Sequence, residues 1–457
     1  MINKIDKYFK VSERNSTLSK ELIGGLVAFL SMSYIIFVNP QILSQAGMDP
    51  DAVFVATILS SAVATIFMGI YANYPLGLAP CMSMNAFFSF SVVLGSGYTW
   101  QQALSIVLLS GILFVMLSLT KWRMKIINAI PEVIKVSATV GLGLFIAFVG
   151  LKNAGIIIAD PNNILTFGKF SNPNVVIAFV GIIVTSLFVV RKSNFGVIYG
   201  MIASALTGLL IHALALHGVI SLGDDVISTL PQLPDTFLVN PLDLLNNMSN
   251  KTLFVSIYTL PQVLSLNALM LVLTFVFLDF FGTAATLEAA TSRTKKAIKT
   301  DDSNKIYLAD SVGTTVGAIL GTSNVTTYIE SVSGVVMGGR TGLMSLVVGI
   351  LFILSIFLYP LLSIITGAVT TPALIIVGVY MITNVKHINW DIGLEEIIPV
   401  FLIILFMPLS GSITLGLSIG FVMYTLLLIF VGRKRDISIT MYIITIIAFL
   451  YLISVLV

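Results

Sequence analysis

The sequence predicts an all-α polytopic membrane protein whose fourteen transmembrane segments form two inverted halves of seven. Three observations predict it. First, 57% of the 457 residues are hydrophobic and only 10% are charged, with a mean hydropathy of +1.02. A soluble domain carries about 25% charged residues, so this chain cannot cover a surface that faces water. Second, the apolar runs are long enough to cross a bilayer, which takes about 20 residues of helix. Third, the Lys and Arg residues alternate between loops as membrane insertion requires.

The apolar runs fall near 22–44, 52–72, 80–94, 102–119, 132–150, 174–190 and 195–215, then 266–290, 305–321, 325–339, 342–358, 361–384, 396–409 and 411–431. Residues 1–21 are polar and basic (Lys4, Lys7, Lys10, Arg14, Lys20) and lack a signal peptide's apolar stretch and cleavage site. They read as a cytoplasmic tail. With that end inside, 21 Lys and Arg fall on inner segments and only Lys152, Lys169 and Lys251 on outer ones. One misplaced span would scramble the split, so the count supports topology and orientation together. Residues 216–265, with Asp224, Asp225, Asp235 and Asp243 and a single Lys, form an outer loop. Its turn residues and the short stretch Leu242–Leu245 suggest a small extracytoplasmic cap or, as the preferred reading, a structured linker between halves. Asn247 and Asn250 fit the glycosylation sequon, a weak pattern. The last stretch, 437–457 within a C-terminal segment 432–457, is either an extra span or an interfacial helix. Cys81 is the only cysteine, so no intrachain disulfide exists, and it reads as a packing thiol. The net charge of +3 gives no reason to expect a nucleic-acid partner.

An odd number of spans per half (22–215 and 266–431) makes the second half enter from the opposite side, the arithmetic of an inverted repeat. Each half has a defective third span: Leu78-Ala-Pro-Cys-Met-Ser-Met-Asn-Ala-Phe-Phe88 in one and Gly321-Thr-Ser-Asn-Val-Thr-Thr-Tyr-Ile-Glu-Ser-Val-Ser-Gly334 in the other. Pro, Gly and β-branched residues open both, and these disfavour helix. Irregular backbone at membrane depth survives only against protein or a watery cavity. Paired breaks in matching places point to a transport site, with half-helix N-termini offering free N–H groups. The alternative is two ordinary kinked spans. Gly196/Gly200, Gly317/Gly321 and Gly416/Gly420 are close-packing patterns.

Charges in apolar spans are costly and mark function. Asp279 lies in the middle of the eighth span and Glu330 at the break of the tenth, with no Lys, Arg or His at similar depth; His212, His217 and His387 lie near span ends or in loops. A carboxylate without a partner in low dielectric favours its neutral form, so one of the pair should take up a proton readily. A protonated carboxyl donates and an ionised one accepts, which suits a flat ligand with alternating donors and acceptors, such as a purine edge. Asn85 adds an amide that does both. Thr283, one turn beyond Asp279, and Ser331 are further contact candidates. Phe29, Phe87, Phe88 and Tyr328 are near enough in sequence to stack on a ring, or simply to pack; Ile329 adjoins Glu330. Glu132, Glu288 and Asp310 read as interfacial groups or packing partners of nearby Lys and Arg. Glu21 reads as an acid at its own helix N-terminus.

Several long stretches resemble the AzgA-like purine permeases, a branch of the nucleobase–cation symporters. They are Tyr34-Ile-Ile-Phe-Val-Asn-Pro-Gln-Ile-Leu-Ser-Gln-Ala-Gly-Met-Asp49, Tyr71-Ala-Asn-Tyr-Pro-Leu-Gly-Leu-Ala-Pro80 and Met84-Asn-Ala-Phe-Phe88. Gly143-Leu-Phe-Ile-Ala-Phe-Val-Gly-Leu-Lys-Asn-Ala-Gly155, Ala309-Asp-Ser-Val-Gly-Thr-Thr-Val-Gly-Ala-Ile-Leu-Gly-Thr-Ser323, Thr326-Thr-Tyr-Ile-Glu-Ser331 and Pro372-Ala-Leu-Ile-Ile-Val-Gly-Val379 complete the set. The resemblance covers nearly the whole chain. It implies a core domain (spans 1–4 and 8–11), a gate domain (spans 5–7 and 12–14) and short strands in broken spans 3 and 10. It also implies a homodimer in the cytoplasmic membrane, elevator-like movement, and proton-coupled uptake of adenine, guanine or hypoxanthine. In that family the third-span Asn, eighth-span Asp and tenth-span Glu hold the purine; they correspond to Asn85, Asp279 and Glu330. Two departures bear on purine preference. The family's Asp-x-x-Asp in span 8 becomes Asp279-Phe-Phe-Gly282, and its Ala-Pro-Gly-Met-Gly-Leu-Asn becomes Ala79-Pro-Cys-Met-Ser-Met-Asn85.

The expected function is therefore proton-coupled purine transport, with Asp279 and Glu330 as both ligand-holding and proton-coupling groups, the proton as coupling ion and no cofactor. An anion transporter on the same fold would need a basic site, and two acids argue against it. A passive facilitator or a non-transporting sensor would differ in lacking concentrative uptake. No nucleophile–base pair or metal cluster at membrane depth supports an enzyme.

Overall fold

The computed structural model describes residues 2–120, 131–160, 164–193, 195–234, 239–294 and 300–456. The basic positions at 121–125 and 295–299, Asp235 and the side chain of Glu288 lie outside the described residues. Among the described residues, nine helices are long and apolar enough to cross a membrane. Shorter apolar helices and the broken segments complete the expected spans, and the chain is a multi-pass membrane protein.

Span 1 is Leu18–Met32 followed, after a break, by Ile35–Ser44; span 2 is Pro50–Phe67 with a wider turn at Met68–Ala72. Span 4 is Trp100–Leu119, and spans 5 to 7 are Glu132–Asn153, Pro173–Val190 and Gly196–Leu216. Spans 8 and 9 are Leu266–Thr294 and Thr300–Leu320; spans 11 to 14 begin at Gly342, Gly367, Leu394 and Ile413. Helix starts follow local chemistry. Thr17, Asp49, Asn172 and Ser412 cap with their side chains, Pro50 and Pro173 sit in the first turn, and Thr99 forms a capping box with Gln102. Span 12 starts at Gly367 rather than 361, because a 3₁₀ stretch through Pro360 runs to Ile364 first.

The two broken spans meet. Strand β1 (Leu78–Pro80) opens span 3, and a hairpin of β2 (Ile157–Asp160) and β3 (Ile164–Phe167) lies between spans 5 and 6. Strand β4 (Val325–Thr327) opens span 10 and pairs antiparallel with β1, Leu78 opposite Thr327 and Pro80 opposite Val325. Short helical pieces follow each strand: Met82–Ala86 and Phe87–Gly95 in span 3, Ile329–Ser331 and Val332–Val336 in span 10. Lipid cannot satisfy strand edges, and side chains do so instead. Thr65 of span 2 bonds both peptide groups of Leu78, at 2.8 and 2.9 Å. On the far edge the Thr314 hydroxyl lies 3.1 Å from the Val325 carbonyl oxygen and Asp310 accepts from the Thr327 N–H (2.9 Å), both from span 9.

Span 5 packs on spans 12 and 13, span 13 packs on span 14, and spans 6 and 7 pair and lean on span 12; spans 1, 2, 4, 9 and 11 form a second neighbourhood around the strands. Close approach needs small residues. A methyl at Gly334 of span 10 would lie 2.3 Å from the Gly24 carbonyl oxygen of span 1. Gly317 packs on Val325 of β4, and Gly321, at φ +99, turns the chain out of span 9.

The segments that precede each half act as braces at opposite ends. In the tail, Arg14 donates to the carbonyls of Asn73 (2.7 Å) and Arg340 (3.2 Å), and Ser16 to that of Gly338 (2.8 Å). Buried Glu21 accepts from the N–H groups of Arg340 (2.9 Å), Thr341 (3.3 Å) and Met344 (3.2 Å). It caps span 11, not its own helix, which corrects the sequence reading: a carboxylate serves the nearest orphan N–H groups wherever the fold brings them. The linker mirrors this with helices Asp224–Ile227, Pro241–Lys251 and Val255–Tyr258. Phe254 N–H donates to Ile319 O (2.9 Å), Thr252 to Leu320 O (3.0 Å) and Thr259 to Gln101 O (2.9 Å). The end of span 2 and the turn before span 11 are thus matched by the end of span 9 and the first turn of span 4. The last segment is a helix, Ile439–Leu456, packed on spans 14 and 8 with Thr445 bonded to Thr425 at 2.7 Å.

Candidate functional site

The strand crossing gathers the polar residues of spans 3, 8, 9 and 10. On span 8, Asp279, Thr283 and Thr286 recur at helical spacing, so one face meets β4. Asp279 is buried; its Oδ2 accepts from Thr314 (2.7 Å) and Asn324 (3.2 Å), while its Oδ1 has no hydrogen-bond partner among the described residues. Asn85, also buried, accepts at Oδ1 from the Ser323 hydroxyl, and its Nδ2 has no such partner. Asn85 and Asp279 are therefore brought to neighbouring residues, Ser323 and Asn324, at the entry to β4.

Glu330 lies past the other end of β4. It is half-buried, and its Oε1 accepts from the Tyr34 hydroxyl at the break of span 1, at 2.7 Å. Asp279 and Glu330 share no hydrogen-bond partner, and the three residues of β4 separate their anchors. Tyr34 in turn leans on Tyr328 with ring centroids 6.4 Å apart, and the Tyr328 hydroxyl donates to Pro80 O at 2.6 Å. Cys81 is half-buried, 3.0 Å from the Ser83 hydroxyl, and within electrostatic range of Asp279.

The other candidate residues are placed as follows. Thr283 is buried and donates to Asp310 Oδ2 at 2.6 Å, with Thr326 Oγ1 2.9 Å away. Ser331 is buried and ties down the chain before β1, accepting from Gly77 N–H at 2.8 Å. Phe29 packs edge-on against Phe352, while the Ile329 side chain is exposed. A side chain at Gly282, where the resemblance places a second acid, would meet no described atom within 4 Å.

One acid was misplaced by sequence reasoning. Asp310 is not interfacial and pairs with no Lys or Arg among the described residues: it is fully buried in mid-helix and holds both Thr283 and the β4 backbone. The helix starts at Thr300, five residues before the expected span, so Asp310 lies deeper than its distance from Lys305 suggested. Its helical spacing with Thr314 was the available signal. Glu132 does pair with Lys135, at 3.2 Å.

The sequence profile of the Permease family (Xan_ur_permease) matches residues 19–417. The chain is 41% identical over 457 residues to the guanine/hypoxanthine permease PbuG of Bacillus subtilis, covering 98% of this chain and 99% of that protein. It is 36% identical over 440 residues to the adenine permease AdeP of Escherichia coli, covering 95% and 92%. Among solved structures, the transmembrane domain of the cyanobacterial bicarbonate transporter BicA superposes with a TM-score of 0.60 at 15% identity, covering 87% of this chain and 97% of that one. That likeness shows the fold, two inverted halves of seven spans.

Proposed function

This chain belongs to the Permease family, and from that premise we propose that it takes up purine nucleobases by proton-coupled secondary transport. One observation carries the reading. Asn85 of the first half and Asp279 of the second are each bonded to one of two successive residues, Ser323 and Asn324, at the strand crossing, and among the described residues Asn85 keeps a donor and Asp279 an acceptor without a partner. A purine edge supplies the complementary pair. Two relatives that carry purines by name add weight.

Glu330, presented by Tyr34, completes the polar lining, and Thr283, Tyr328, Ser331, Ile329 and Phe29 shape its surroundings. Asp279 or Glu330 takes the coupling proton, with Asp310 close behind Asp279 through the Thr283–Thr326 pair. The two packing neighbourhoods support a division into core and gate, the elevator element being the one that holds the strands. The Lys and Arg split supports a cytoplasmic N-terminus in the cell membrane, and the sequence resemblance supports a homodimer. An anion transporter on this fold would need a cationic group at the crossing, where the described residues offer acids, amides and hydroxyls.

The test is uptake of labelled adenine and hypoxanthine by a host lacking its own purine transporters. Concentrative uptake that collapses with a protonophore and is lost in Glu330→Gln is expected. Uptake that ignores the protonophore would sink the coupling, and no purine uptake by the wild type would sink the substrate class.

A further inference from the structure

Thr322, Ser323 and Asn324, just before β4, are fully buried, and each successive side chain is bonded to a different span. Thr322 Oγ1 accepts from Asn39 Nδ2 of span 1 at 2.8 Å; that same nitrogen donates to Thr57 of span 2 at 2.7 Å. Ser323 donates to Asn85 of span 3, and Asn324 Nδ2 donates to Asp279 of span 8 at 3.2 Å. Every bond uses one polar atom of its partner and leaves the other. Asn39 Oδ1, Asn85 Nδ2, Asp279 Oδ1 and Asn324 Oδ1 have no hydrogen-bond partner among the described residues. An unmade buried polar group is costly, so four of them around one tripeptide form a polar cluster that would gain from a partner with matching donors and acceptors.

The chemistry of the run decides which atoms remain. An amide can present either its donor or its acceptor, and a serine hydroxyl can serve either. Here the Ser323 hydroxyl donates, which engages the Asn85 oxygen and leaves its amide donor without a partner among the described residues. Asn324, held by its nitrogen, fixes Asp279 through Oδ2 and leaves Oδ1 without a hydrogen-bond partner among the described residues. Asn39, with its amide nitrogen committed to two threonines, anchors the run from behind.

We infer that Ser323 and Asn324 are specificity-determining positioning residues: they set the order of donor and acceptor that Asn85 and Asp279 show to the cargo. The inference rests on the proposal that these two residues hold a purine. Its consequence concerns choice among purines. Adenine presents an amino donor beside a ring acceptor, whereas hypoxanthine and guanine present a carbonyl acceptor beside a ring N–H. A fixed amide favours one order; an amide free to turn over accepts both.

The measurement is the ratio of inhibition constants of adenine and hypoxanthine against labelled purine uptake, with membrane abundance of each variant determined in parallel. The wild type should prefer one class. Ser323→Ala should move the ratio toward one by about tenfold, the equivalent of one hydrogen bond. Asn324→Ala should shift it too, and Ser323→Thr, which keeps the hydroxyl, should restore the wild-type ratio. Where Ser323→Ala does not accumulate, Ser323→Cys replaces the donor with a weaker one in the same space and should move the ratio in the same direction. A purely structural role would lower abundance or rate and leave the ratio alone. An unmoved ratio in transporting variants, equal behaviour of the Ala and Thr variants, or a wild type with no preference overturns the inference. Absence of purine uptake by the wild type would instead defeat the parent proposal.

Discussion

Replacing Asp279 by Asn separates its structural bonds from its ligand-facing atom. Oδ2 accepts from Thr314 at 2.7 Å and from Asn324 at 3.2 Å, and an Asn side chain can place its oxygen there and keep both. Its nitrogen then occupies the Oδ1 position, turning an acceptor into a donor. The ligand loses a hydrogen bond to a charged group, worth about 1.5–3 kcal/mol, and meets a donor that leaves a further group unpaired, at about 1–3 kcal/mol. With a factor of ten for every 1.4 kcal/mol, affinity should fall roughly 10²- to 10⁴-fold. The assay is equilibrium binding of tritiated purine to purified protein in detergent, beside a thermal melt. The melt should stay within a few degrees of wild type, because the two retained bonds hold spans 8, 9 and 10 together. Binding within threefold of wild type would refute the role of Oδ1, and a collapsed melt would refute the claim that the bonds survive.

Asp310→Ala removes the acceptor for Thr283 and for the Thr327 N–H, leaving β4 with an orphan donor; a loss of about 2–6 kcal/mol in stability is expected from two such bonds, read as a lowered melting temperature, and a wild-type melt would contradict it. Gly334→Ala puts a methyl 2.3 Å from the Gly24 carbonyl oxygen and should cost about 1–3 kcal/mol by forcing spans 1 and 10 apart, while Gly223→Ala, which meets nothing within 4 Å, should be neutral in the same melts. Burial tends to raise the Asp49 carboxyl, but the bond from Lys251, the Ala52 N–H and the Asn247 amide outweigh it and hold the group below its usual range. A depressed folded-state value means that Asp49 contributes stability above its unfolded value, about 3.9, and loses it as pH falls through the lower folded one. The stability gap between wild type and Asp49→Asn should therefore be constant above about pH 5 and shrink toward pH 3; since the pair is partly exposed, it is worth at most about 1 kcal/mol. A gap that widens on acidification would reverse the assignment.

Much of this architecture was legible because lipid imposes uniform demands. Span lengths, the basic loops and the two defective spans all follow from burying backbone in hydrocarbon, and Pro80 and the β-branched Val325-Thr326-Thr327 announced the breaks. What stayed hidden depends on long-range meetings. Asp310 looked like a partner for nearby cations because its true partners, Thr283 and the Thr327 N–H, come from other spans. Glu21 looked like a cap for its own helix, although it caps one that begins at Gly342. Thr322, Ser323 and Asn324 were visible as part of the broken tenth span, but nothing local shows that three spans converge on them. Asn85, Asp279 and Glu330 were visible as polar groups at improbable depth, but their split into one joined pair and one separate acid was not.

The braces at the two ends have a bearing on biosynthesis. Ser16 finds its acceptor 322 positions further along the chain, and Arg14 one of its two acceptors 326 positions on. Arg14 and Ser16 therefore wait for these acceptors until the turn into span 11 has been translated and inserted. Neither half is an independent hairpin stack: each is closed by a strap that also bonds to the other, so completing either one requires both.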